Sequence, residues 1–540
     1  MSMSANLDRW LSPFNIDAVK LYRLASLFSE TYKYLALNST EQFLPTPVTS
    51  LPTGEETGKF LAIDLGGTNL RVGFLELLGS NQDGAVTSDS NGSFPGAPLA
   101  SKSQGLAPPV RRSHERSWPI GEHLKMDRAE DLFDWLGDCV AEVVAASVSE
   151  EKSLGIHVSK EITMGITFSF PMIQKSLADA TLMPMGKGFA ITTNLNLGAM
   201  LLAGYERHTK RAFVNGQRSK SVALPRVKIA AITNDTVATL ASLAYSVKSE
   251  PHSRVAMGLI VGTGCNATIP MKLEALHPSK RTCHSLLKKP RPIEHETIIN
   301  TEWTINGAVG PLRDLDLVTR WDMLLDKATD APGFQPFEYM VAGRYLGELV
   351  RLMFVDWLTR GRGVSRATLP ALLGRRNALT TTFLATIVAP AEDAGQLAKT
   401  LNLNPESAGP GNWTWTAEFS GAIQRITHAV ERRSAALIAA AVIGLLTCTG
   451  ELTLNENEGD SRLGAEQDNP QNLDTELVVA YTGGLITQHP CLKNDIQKHI
   501  NLLLECALPL NAGTTVVLRE ASDGGIIGAG VLAATAYEDV

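Results

Sequence analysis

The sequence Phe60-Leu-Ala-Ile-Asp-Leu-Gly-Gly-Thr-Asn-Leu-Arg-Val72 decides the fold predicted for this chain. Apolar runs flank the Gly66-Gly67 pair, and glycine tolerates both a positive φ and a close approach of backbone. The pattern therefore predicts two β-strands joined by a tight turn, whose tip presents bare N–H groups to a phosphate. A plain hairpin without a ligand is the alternative. No Gly-Lys-Ser/Thr follows the glycines, so the stretch is not a P-loop.

Polar side chains surround the predicted hairpin tip. Asp64 ends the first strand, where its carboxylate would repel a phosphate unless a divalent cation or its water shell lies between them. Thr68, Asn69 and Arg71 add side-chain donors. The hairpin is therefore predicted to bind phosphate together with a cation.

Composition limits the classes of protein to which the chain can belong. Its 540 residues, 44% hydrophobic and 19% charged, predict a globular protein of two or three domains. A net charge of −7 argues against a general nucleic-acid binder. Six scattered cysteines argue against zinc and fit a reducing compartment. With no signal peptide or apolar membrane-spanning run expected, we predict a cytoplasmic protein.

One basic cluster, from Lys288 to Arg291, offers an alternative location. Such a cluster can act as a nuclear-import signal, although short basic runs are more often solvated loops. The sequence therefore leaves a nuclear location open as the alternative to a cytoplasmic one.

A second glycine turn repeats the first. Gly262-Thr263-Gly264 separates two apolar runs about 200 residues after the first turn, which predicts two halves of an internally duplicated α/β site. Two unrelated hairpins are the alternative. Between the turns, a strand pattern ends at Asn234 and Asp235, directly before a predicted helix. Both side chains would then lie at a carboxyl end of a sheet, where ligands bind in open α/β folds.

These features suit a kinase that acts on a hydroxyl group. Such an enzyme needs donors and a metal for the phosphates, a base for the attacking oxygen and exclusion of water. Asp235 is the candidate base, and its alternative role is that of a helix N-cap. A sugar needs several polar side chains, because each ring hydroxyl both donates and accepts. The candidates are Ser169, Lys187, Asn234, Asn266, Glu302 and Glu338.

In these motifs the chain resembles the eukaryotic hexokinase family along nearly its whole length. The matching landmarks are Ala62 to Asn69 with Arg71, Phe168 to Pro171, Lys187 to Phe189, Asn234 to Thr236, Gly262 to Ala267, Asn300 to Trp303, Gln335 with Glu338, and Tyr345 to Arg351. The resemblance implies an α/β, actin-like (ribonuclease-H-like) ATPase fold, with two lobes and a cleft that closes on the sugar.

The resemblance also assigns roles to residues. Asp235 matches the base that takes the proton from the sugar 6-hydroxyl. Sugar-binding positions match Ser169, Lys187, Asn234, Asn266, Glu302 and Glu338, with Gln335 supporting them. The first phosphate loop matches Asp64, Gly66, Gly67, Thr68, Asn69 and Arg71. The second matches Thr263 and Gly264, and Gly483 belongs to the adenosine side. The resemblance implies ATP, Mg²⁺ and a hexose (glucose, fructose or mannose) as ligands, and no side chain is assigned as a direct metal ligand.

The predicted division of the chain follows the same resemblance. Residues 1–58 form N-terminal helices that pack on the large lobe, and residues 59–230 form the small lobe. Residues 231–520 form the large lobe, and residues 521–540 return to the small lobe as a helix. Composition predicts flexible insertions at 79–116 and 452–474.

Two motifs depart from the family pattern. Gly186 stands where a threonine is usual, and Thr482-Gly483-Gly484 stands where Asp-Gly-Ser is usual. Each lost hydrogen bond weakens binding by about 0.5–1.5 kcal/mol, which predicts a weakened kinase. The alternative is a sugar-sensing regulator that acts through a protein partner, since the chain resembles divergent fungal hexokinase-like proteins at these motifs. A chaperone-like or cytoskeletal ATPase is a third possibility, and Ser169, Lys187 and Glu302 argue against it.

Overall fold

The computed structural model describes most of the chain. The described residues are 3–67, 69–79, 110–121, 129–169, 172–182, 195–209, 213–214, 217–218, 223–247, 252–281, 296–407, 413–454, 475–508 and 510–538.

The described elements alternate between strands and helices. The strands are β1 (Leu44–Pro45), β2 (Thr57–Leu65), β3 (Asn69–Leu78), β4 (Val110–Pro119), β5 (Glu161–Phe168), β6 (Met172–Ser176), β7 (Asp179–Leu182), β8 (Phe213–Val214), β9 (Gln217–Arg218), β10 (Arg226–Thr233), β11 (Ser253–Val261), β12 (Cys265–Lys272), β13 (Glu296–Asn300), β14 (Thr475–Thr482) and β15 (Thr514–Glu520). The α-helices are α1 (Met3–Leu11), α2 (Ala18–Asn38), α3 (Ala129–Ser153), α4 (Leu197–Glu206), α5 (Asp235–Ser246), α6 (Pro278–Arg281), α7 (Gly310–Asp314), α8 (Arg320–Lys327), α9 (Glu338–Val341), α10 (Gly343–Asp356), α11 (Ala371–Gly374), α12 (Thr381–Phe383), α13 (Ala394–Leu403), α14 (Ala417–Cys448), α15 (Gly484–Gln488), α16 (Leu492–Cys506) and α17 (Gly524–Glu538).

The chain divides into two compact units, each discontinuous in sequence. The large unit comprises Met1–Ser50, Ile173–Lys175 and Ser249–Ser522. The small unit comprises Leu51–Met172, Ser176–Lys248 and Asp523–Val540.

The small unit is built on a five-stranded sheet with the order β10-β5-β2-β3-β4. β5 lies between β10 and β2 and pairs with both in parallel. β3 lies between β2 and β4 and pairs with both in antiparallel fashion. β2 and β3 are the two strands of the first glycine hairpin, so that prediction is confirmed. β2 therefore lies at the centre of the sheet, and the hairpin tip extends from its carboxyl edge.

The two faces of β2 bury different sets of side chains. Leu61, Ile63 and Leu65 contribute to a core shared with α3 and α4. Phe60 and Ala62 contribute to a second core with the C-terminal helix α17. This alternation is what a strand covered on both sides requires, because successive side chains point to opposite faces.

Glycine allows α17 to approach the sheet closely. A Cβ at Gly165 of β5 would lie 1.9 Å from the carbonyl oxygen of Ala529, and a Cβ at Gly528 would lie 2.1 Å from that of Ala238. Any larger residue would force the helix away. This packing fixes the first turn of α17 beneath the hairpin tip.

The large unit repeats this arrangement. Its six-stranded sheet has the order β1-β13-β12-β11-β14-β15, with β15, β14 and β11 parallel and β11, β12, β13 and β1 antiparallel. β11 and β12 form the second glycine hairpin, in the place that β2 and β3 hold in the small unit. The shared order and directions support the predicted internal duplication. A single core surrounds the buried helix α14 and includes α2.

The structure differs from the predicted boundaries at several places. Residues 51–58, predicted with the large lobe, belong to the small unit, and residues 173–175 belong to the large unit. The small unit continues to Lys248 rather than ending at 230, so α5 belongs to it. Residues 110–116, predicted as part of a flexible insertion, form most of the edge strand β4. The prediction rested on the Gly, Ser, Pro, Asn and Gln content of the whole stretch, whereas its last residues form a charged strand that an edge position exposes to solvent. Residues 80–109, 455–474 and the basic cluster from Lys288 to Arg291 lie outside the described residues.

Within the described part of the chain, no helix combines the length and apolar character needed to cross a membrane. The long helix α14 is buried in the core of the large unit instead.

Candidate active site

The first hairpin turns tightly at Gly66 and Gly67. The N–H of Gly66 donates to the carbonyl of Asn69 at 3.0 Å. Neither glycine has a positive φ, so the turn does not use the left-handed conformation that glycine tolerates. A Cβ at Gly67 would have no neighbour within 4 Å, so the space around the tip is open. Thr68 lies outside the described residues.

Arg71 lies between two carboxylates behind this tip. It faces Asp64 across the hairpin, with Nη2 at 2.8 Å from Oδ2, and its Nη1 lies 2.5 Å from Oδ1 of Asp523. Arg112 of β4 also pairs with Asp523, at 2.6 Å. Asp523 adopts a left-handed conformation at φ 55°, immediately before α17. The network therefore ties the first glycine hairpin to the start of the C-terminal helix.

The same helix start lies against the carboxylate of Asp64. A Cβ at Gly525 would lie 2.5 Å from Oδ2 of Asp64, so only glycine leaves room for the carboxylate there. Burial raises the pKa of Asp64 above its ordinary value of 3.8, Arg71 opposes this, and the charges of Asp235 and Asp523 raise it further. Asp64 pairs with Thr167 of β5, which pairs in turn with Thr233 of β10, so Asp64 lies two strands away from the junction that carries Asp235.

Asn234 and Asp235 lie where β10 ends and α5 begins, as predicted. Asn234 is buried and caps the helix, because its Oδ1 accepts from the N–H of Thr236 at 2.9 Å and from the hydroxyl of Thr236 at 2.7 Å. The alternative role considered for Asp235, that of the N-cap, thus belongs to Asn234. Asp235 occupies the first helical position and accepts from Thr236 N–H at 2.9 Å. A carboxylate is favoured at a helix N-terminus.

Of the other predicted sugar residues in the small unit, the structure describes Ser169. Its N–H donates to the carbonyl of Leu65 at 3.1 Å, which places Ser169 beside the base of the phosphate hairpin. Lys187 lies outside the described residues, as does the altered position Gly186.

In the large unit, Asn266 and Glu302 contact each other directly. The amide Nδ2 of Asn266 lies 3.2 Å from Oε1 of Glu302. Asn300 joins them: it donates to the same Oε1 at 2.9 Å and accepts from Asn266 at 2.8 Å. Glu302 holds a left-handed φ of 46°, a conformation that non-glycine residues rarely adopt. Such strain is typical of functional sites.

Glu338 is buried against the second hairpin. Its Oε2 accepts from the N–H of Cys265 at 3.2 Å, and a Cβ at Gly264 would lie 3.0 Å from it. The charge of Glu338 adds to burial in raising the pKa of the Cys265 thiol. Gln335 is half-buried one turn before Glu338, and its carbonyl accepts from Tyr339.

The second hairpin tip packs on Gly483. A Cβ at Gly483 would lie 2.5 Å from the carbonyl oxygen of Val261, and its φ of 119° suits glycine alone. A Cβ at Gly262 would in turn lie 3.4 Å from Cα of Gly483. Thr263 is exposed at the tip. The structure thus brings Thr263, Gly264 and Gly483 together, although they are about 220 residues apart in sequence.

A cavity of about 190 Å³ adjoins this tip. Its lining is mainly polar and comprises Gly343, Arg344, Glu348, Asn377, Leu379, Thr380, Thr381 and Thr382. The backbone N–H of Gly343 donates to the carbonyl of Gly262 at 2.8 Å, and that of Arg344 to Thr263 at 3.3 Å. The cavity therefore shares its wall with the second glycine turn.

Four residues of these networks were not predicted. Arg112 lies in a stretch whose composition predicted a flexible insertion, and Asp523 lies directly before the predicted C-terminal helix. Asn300 and Arg344 each stand within or beside a landmark, next to residues that were assigned roles. An Asp before a Gly-Gly pair was the one local signal available for Asp523.

Comparisons with known proteins agree along the chain. Two family models, both described as Hexokinase, match residues 6–245 and 256–535. The hexokinase of Schistosoma mansoni is 32% identical over 386 residues, which cover 69% of either protein. Hexokinase-1 of Schizosaccharomyces pombe is 31% identical and covers 67% of this chain and 62% of its own. Hexokinase-1 of Spinacia oleracea is 27% identical over a region that covers 96% of this chain and 86% of the spinach protein.

Solved structures show the same similarity. The structure of Schistosoma mansoni hexokinase complexed with glucose aligns with a TM-score of 0.71 at 26% identity, covering 99% of this chain and 100% of that one. A second hexokinase crystal structure aligns with a TM-score of 0.65 at 24% identity, and the alignment covers 98% of this chain and 99% of that one. The actin-like α/β ATPase fold expected from the sequence is therefore confirmed.

Proposed function

Because this chain belongs to the hexokinase family, we propose that it transfers the γ-phosphoryl group of ATP to the 6-hydroxyl of a hexose. Asp235 acts as the general base: its carboxylate takes the hydroxyl proton while the oxygen attacks the γ-phosphorus. The bond from that phosphorus to the bridging oxygen breaks, and ADP leaves. A positioned base contributes about 10²–10⁴-fold to the rate.

The observation that supports this proposal is the register of three parallel strands. Asp64 near the end of β2 pairs with Thr167 of β5, and Thr167 pairs with Thr233 of β10, two residues before Asp235. The candidate base and the first hairpin therefore belong to the carboxyl edge of one sheet, where ligands bind in open α/β folds. A structural N-cap would not need a carboxylate there, since Asn234 already caps the helix.

Sugar recognition is assigned to the polar cluster of the large unit. An ionised carboxylate accepts several hydrogen bonds, so Glu302 can accept from a hexose hydroxyl as well as from Asn266 and Asn300. Glu338, with Gln335 supporting it, adds a further carboxylate. Ser169, Asn234 and Lys187 complete the proposed set. A site built to bond every ring hydroxyl rejects analogues that lack one.

The nucleotide is proposed to lie along the glycine loops. Gly66, Gly67, Asn69 and Arg71, with Thr68, contact phosphate in one unit, and Thr263 and Gly264 do so in the other. Gly483 and the cavity beside Arg344 suit the adenosine end, since its polar lining offers hydroxyl and guanidinium donors.

Magnesium fits this site as a companion of the triphosphate. The described residues hold no group of three or more His, Cys, Asp or Glu side chains that could cage a metal. Mg²⁺ typically binds through one or two carboxylates, waters and substrate phosphates, and Asp64 supplies one such carboxylate. When bound, the metal neutralises charge that develops on the phosphates.

A coupled assay of ADP release with glucose, fructose and mannose tests the proposal. We expect turnover with at least one hexose, and a loss of about 10²–10⁴-fold in kcat for Asp235→Asn. Asn keeps the size of the side chain, so calorimetric binding of the hexose should persist. Hexose binding without turnover in the unaltered protein would refute the kinase and favour a sugar-sensing regulator.

A further inference from the structure

Glu302 is held in its strained backbone conformation by a residue outside the sugar cluster. The side-chain Nε2 of Gln42 donates to the carbonyl oxygen of Glu302 at 3.0 Å. Gln42 is only 3% exposed, and Glu302 has a φ of 46°. A buried donor aimed at the carbonyl of a left-handed residue fixes the direction in which that residue's side chain leaves the backbone.

The neighbouring residue reinforces this contact. Phe43 also has a positive φ, of 53°, and its N–H donates to the carbonyl of Thr301 at 2.9 Å. Two consecutive residues of the segment after α2 therefore bond two consecutive carbonyls, those of Thr301 and Glu302. The pair of contacts fixes the turn that follows β13, where Glu302 lies.

Gln42 is itself held from the opposite side. The buried ammonium of Lys280 donates to the carbonyl of Gln42 at 2.6 Å, and at 3.4 Å to the carbonyl of Ala36 in α2. Burial lowers the pKa of Lys280 to about 8. An ammonium is seldom buried in this way unless its bonds serve the local structure.

Gly307 leaves the space that the Gln42 amide occupies. A Cβ at Gly307 would lie 2.5 Å from Oε1 of Gln42 and 2.5 Å from a methyl of Leu35. The amide is therefore enclosed between Gly307, Leu35 and the Glu302 carbonyl, and it has little freedom to turn away.

We propose that Gln42 is a positioning residue for the sugar-binding carboxylate of Glu302, and that the affinity for hexose depends on it. The inference rests on the proposed function, since it takes Glu302 as a sugar ligand. Gln42 need not touch the sugar. It acts by keeping Glu302 in the one backbone conformation that presents Oε1 to Asn266 and Asn300.

The test replaces Gln42 by methionine, which keeps the volume but removes the donor. We expect the KM and calorimetric Kd for glucose to rise about 3- to 12-fold, as the loss of one hydrogen bond predicts. The kcat and the KM for ATP should stay within about twofold of the unaltered enzyme.

Thr46→Val is the matched control. Thr46 is buried in the same segment and donates its hydroxyl to the carbonyl of Ile298 at 2.8 Å, but it does not contact Glu302. Thr46→Val loses one buried hydrogen bond to a backbone carbonyl, as Gln42→Met does. Its melting temperature should therefore fall about as much as that of Gln42→Met, while its Kd for glucose stays unchanged. Equal shifts of Kd in both variants would overturn the proposal, because general loosening would then explain them.

Gly307→Ala provides a second probe if Gln42→Met does not fold. The added methyl displaces the Gln42 amide without removing any polar group, so the Kd for glucose should rise while the KM for ATP does not. An unchanged Kd in a folded Gly307→Ala or Gln42→Met protein contradicts the inference. Binding is measured without turnover, so an inactive protein would refute the proposed kinase and still test this positioning role.

Discussion

The guanidinium of Arg71 lies 2.8 Å from the carboxylate of Asp64, directly across the hairpin whose glycine tip is proposed to hold phosphate. This ion pair is partly enclosed, and Arg71 extends it to Asp523 at the start of α17. The hairpin and the last helix of the chain, about 450 residues apart, therefore act as one structural element.

Removing the charge of Asp523 should weaken ATP use selectively. In Asp523→Asn, asparagine still tolerates the left-handed φ, but Arg71 and Arg112 lose an anionic partner. Because Asp523 is about one-third exposed, we expect a loss of up to roughly tenfold in kcat/KM for ATP and little change in the KM for hexose. The control is Glu76→Gln, which removes an exposed ion pair between Glu76 of β3 and Arg111 of β4. It should leave both kinetic constants unchanged. Equal losses in the two variants would contradict the assignment.

Gly483 should be intolerant of any side chain, unlike its neighbour. In Gly483→Ala the methyl would meet the carbonyl of Val261 at 2.5 Å, in a conformation that costs roughly 1–3 kcal/mol for a non-glycine residue. We expect a lower melting temperature and a raised KM for ATP, because Gly262 and the second phosphate loop must move.

Gly484→Ala is the control for that change. Its methyl would meet only the side chain of Gln488, at 3.8 Å, and Gly484 does not have a positive φ. Melting curves and ATP kinetics of the two variants should therefore differ clearly. A Gly484→Ala protein as impaired as Gly483→Ala would show that packing against Val261 is not the cause.

Asn300 should control hexose affinity although no role was predicted for it. Asn300→Ala removes a bond to the carboxylate of Glu302 and one to Asn266, each at less than 3 Å. The loss of a hydrogen bond to a charged group, about 1.5–3 kcal/mol, predicts a rise of roughly ten- to hundredfold in the KM for hexose. The KM for ATP should not change. Asn306→Ala is the control, because Asn306 is exposed, and this variant should behave like the unaltered enzyme.

Acid should destabilise the large unit partly through Glu431. Burial opposes ionisation of this carboxyl, but hydrogen bonds from His428 and His489 outweigh it and lower the pKa below 4.5. A carboxyl with a lowered folded pKa stabilises the protein above its unfolded pKa, and that contribution is lost as pH falls through the folded pKa. Glu431→Gln should therefore reduce the free energy of unfolding at neutral pH, and should differ little from the unaltered protein once the pH lies below the folded pKa of Glu431. A difference that persists in acid would contradict this origin.

His428→Ala separates the two histidines in that experiment. His428 is more exposed and lies 3.2 Å from Glu431, whereas His489 is buried and lies 2.6 Å away. The buried pair should carry most of the effect, so His428→Ala should shift the unfolding free energy less than Glu431→Gln does. Chemical denaturation at several pH values measures both.

Sequence by itself determined the two hairpins, the strand–Asn234–Asp235–helix junction and the family. Each is a local pattern, since glycine pairs, strand alternation and helix capping depend on neighbours within a few residues. The same locality explains the error at β4, because this charged edge strand follows directly on a stretch with the composition of a loop.

Only the tertiary structure decided which side chains meet. The contacts of Arg71 with Asp523, of Gly483 with Val261 and of Gln42 with Glu302 join residues 200 to 450 positions apart, and nothing in the intervening sequence marks them. They arise because sheet order brings distant strand ends to one edge, and because close packing leaves room there for a glycine or a single buried polar group. Candidate site residues could be named from the sequence one by one, whereas the long-range contacts that hold them in position depend on the packing of the folded chain.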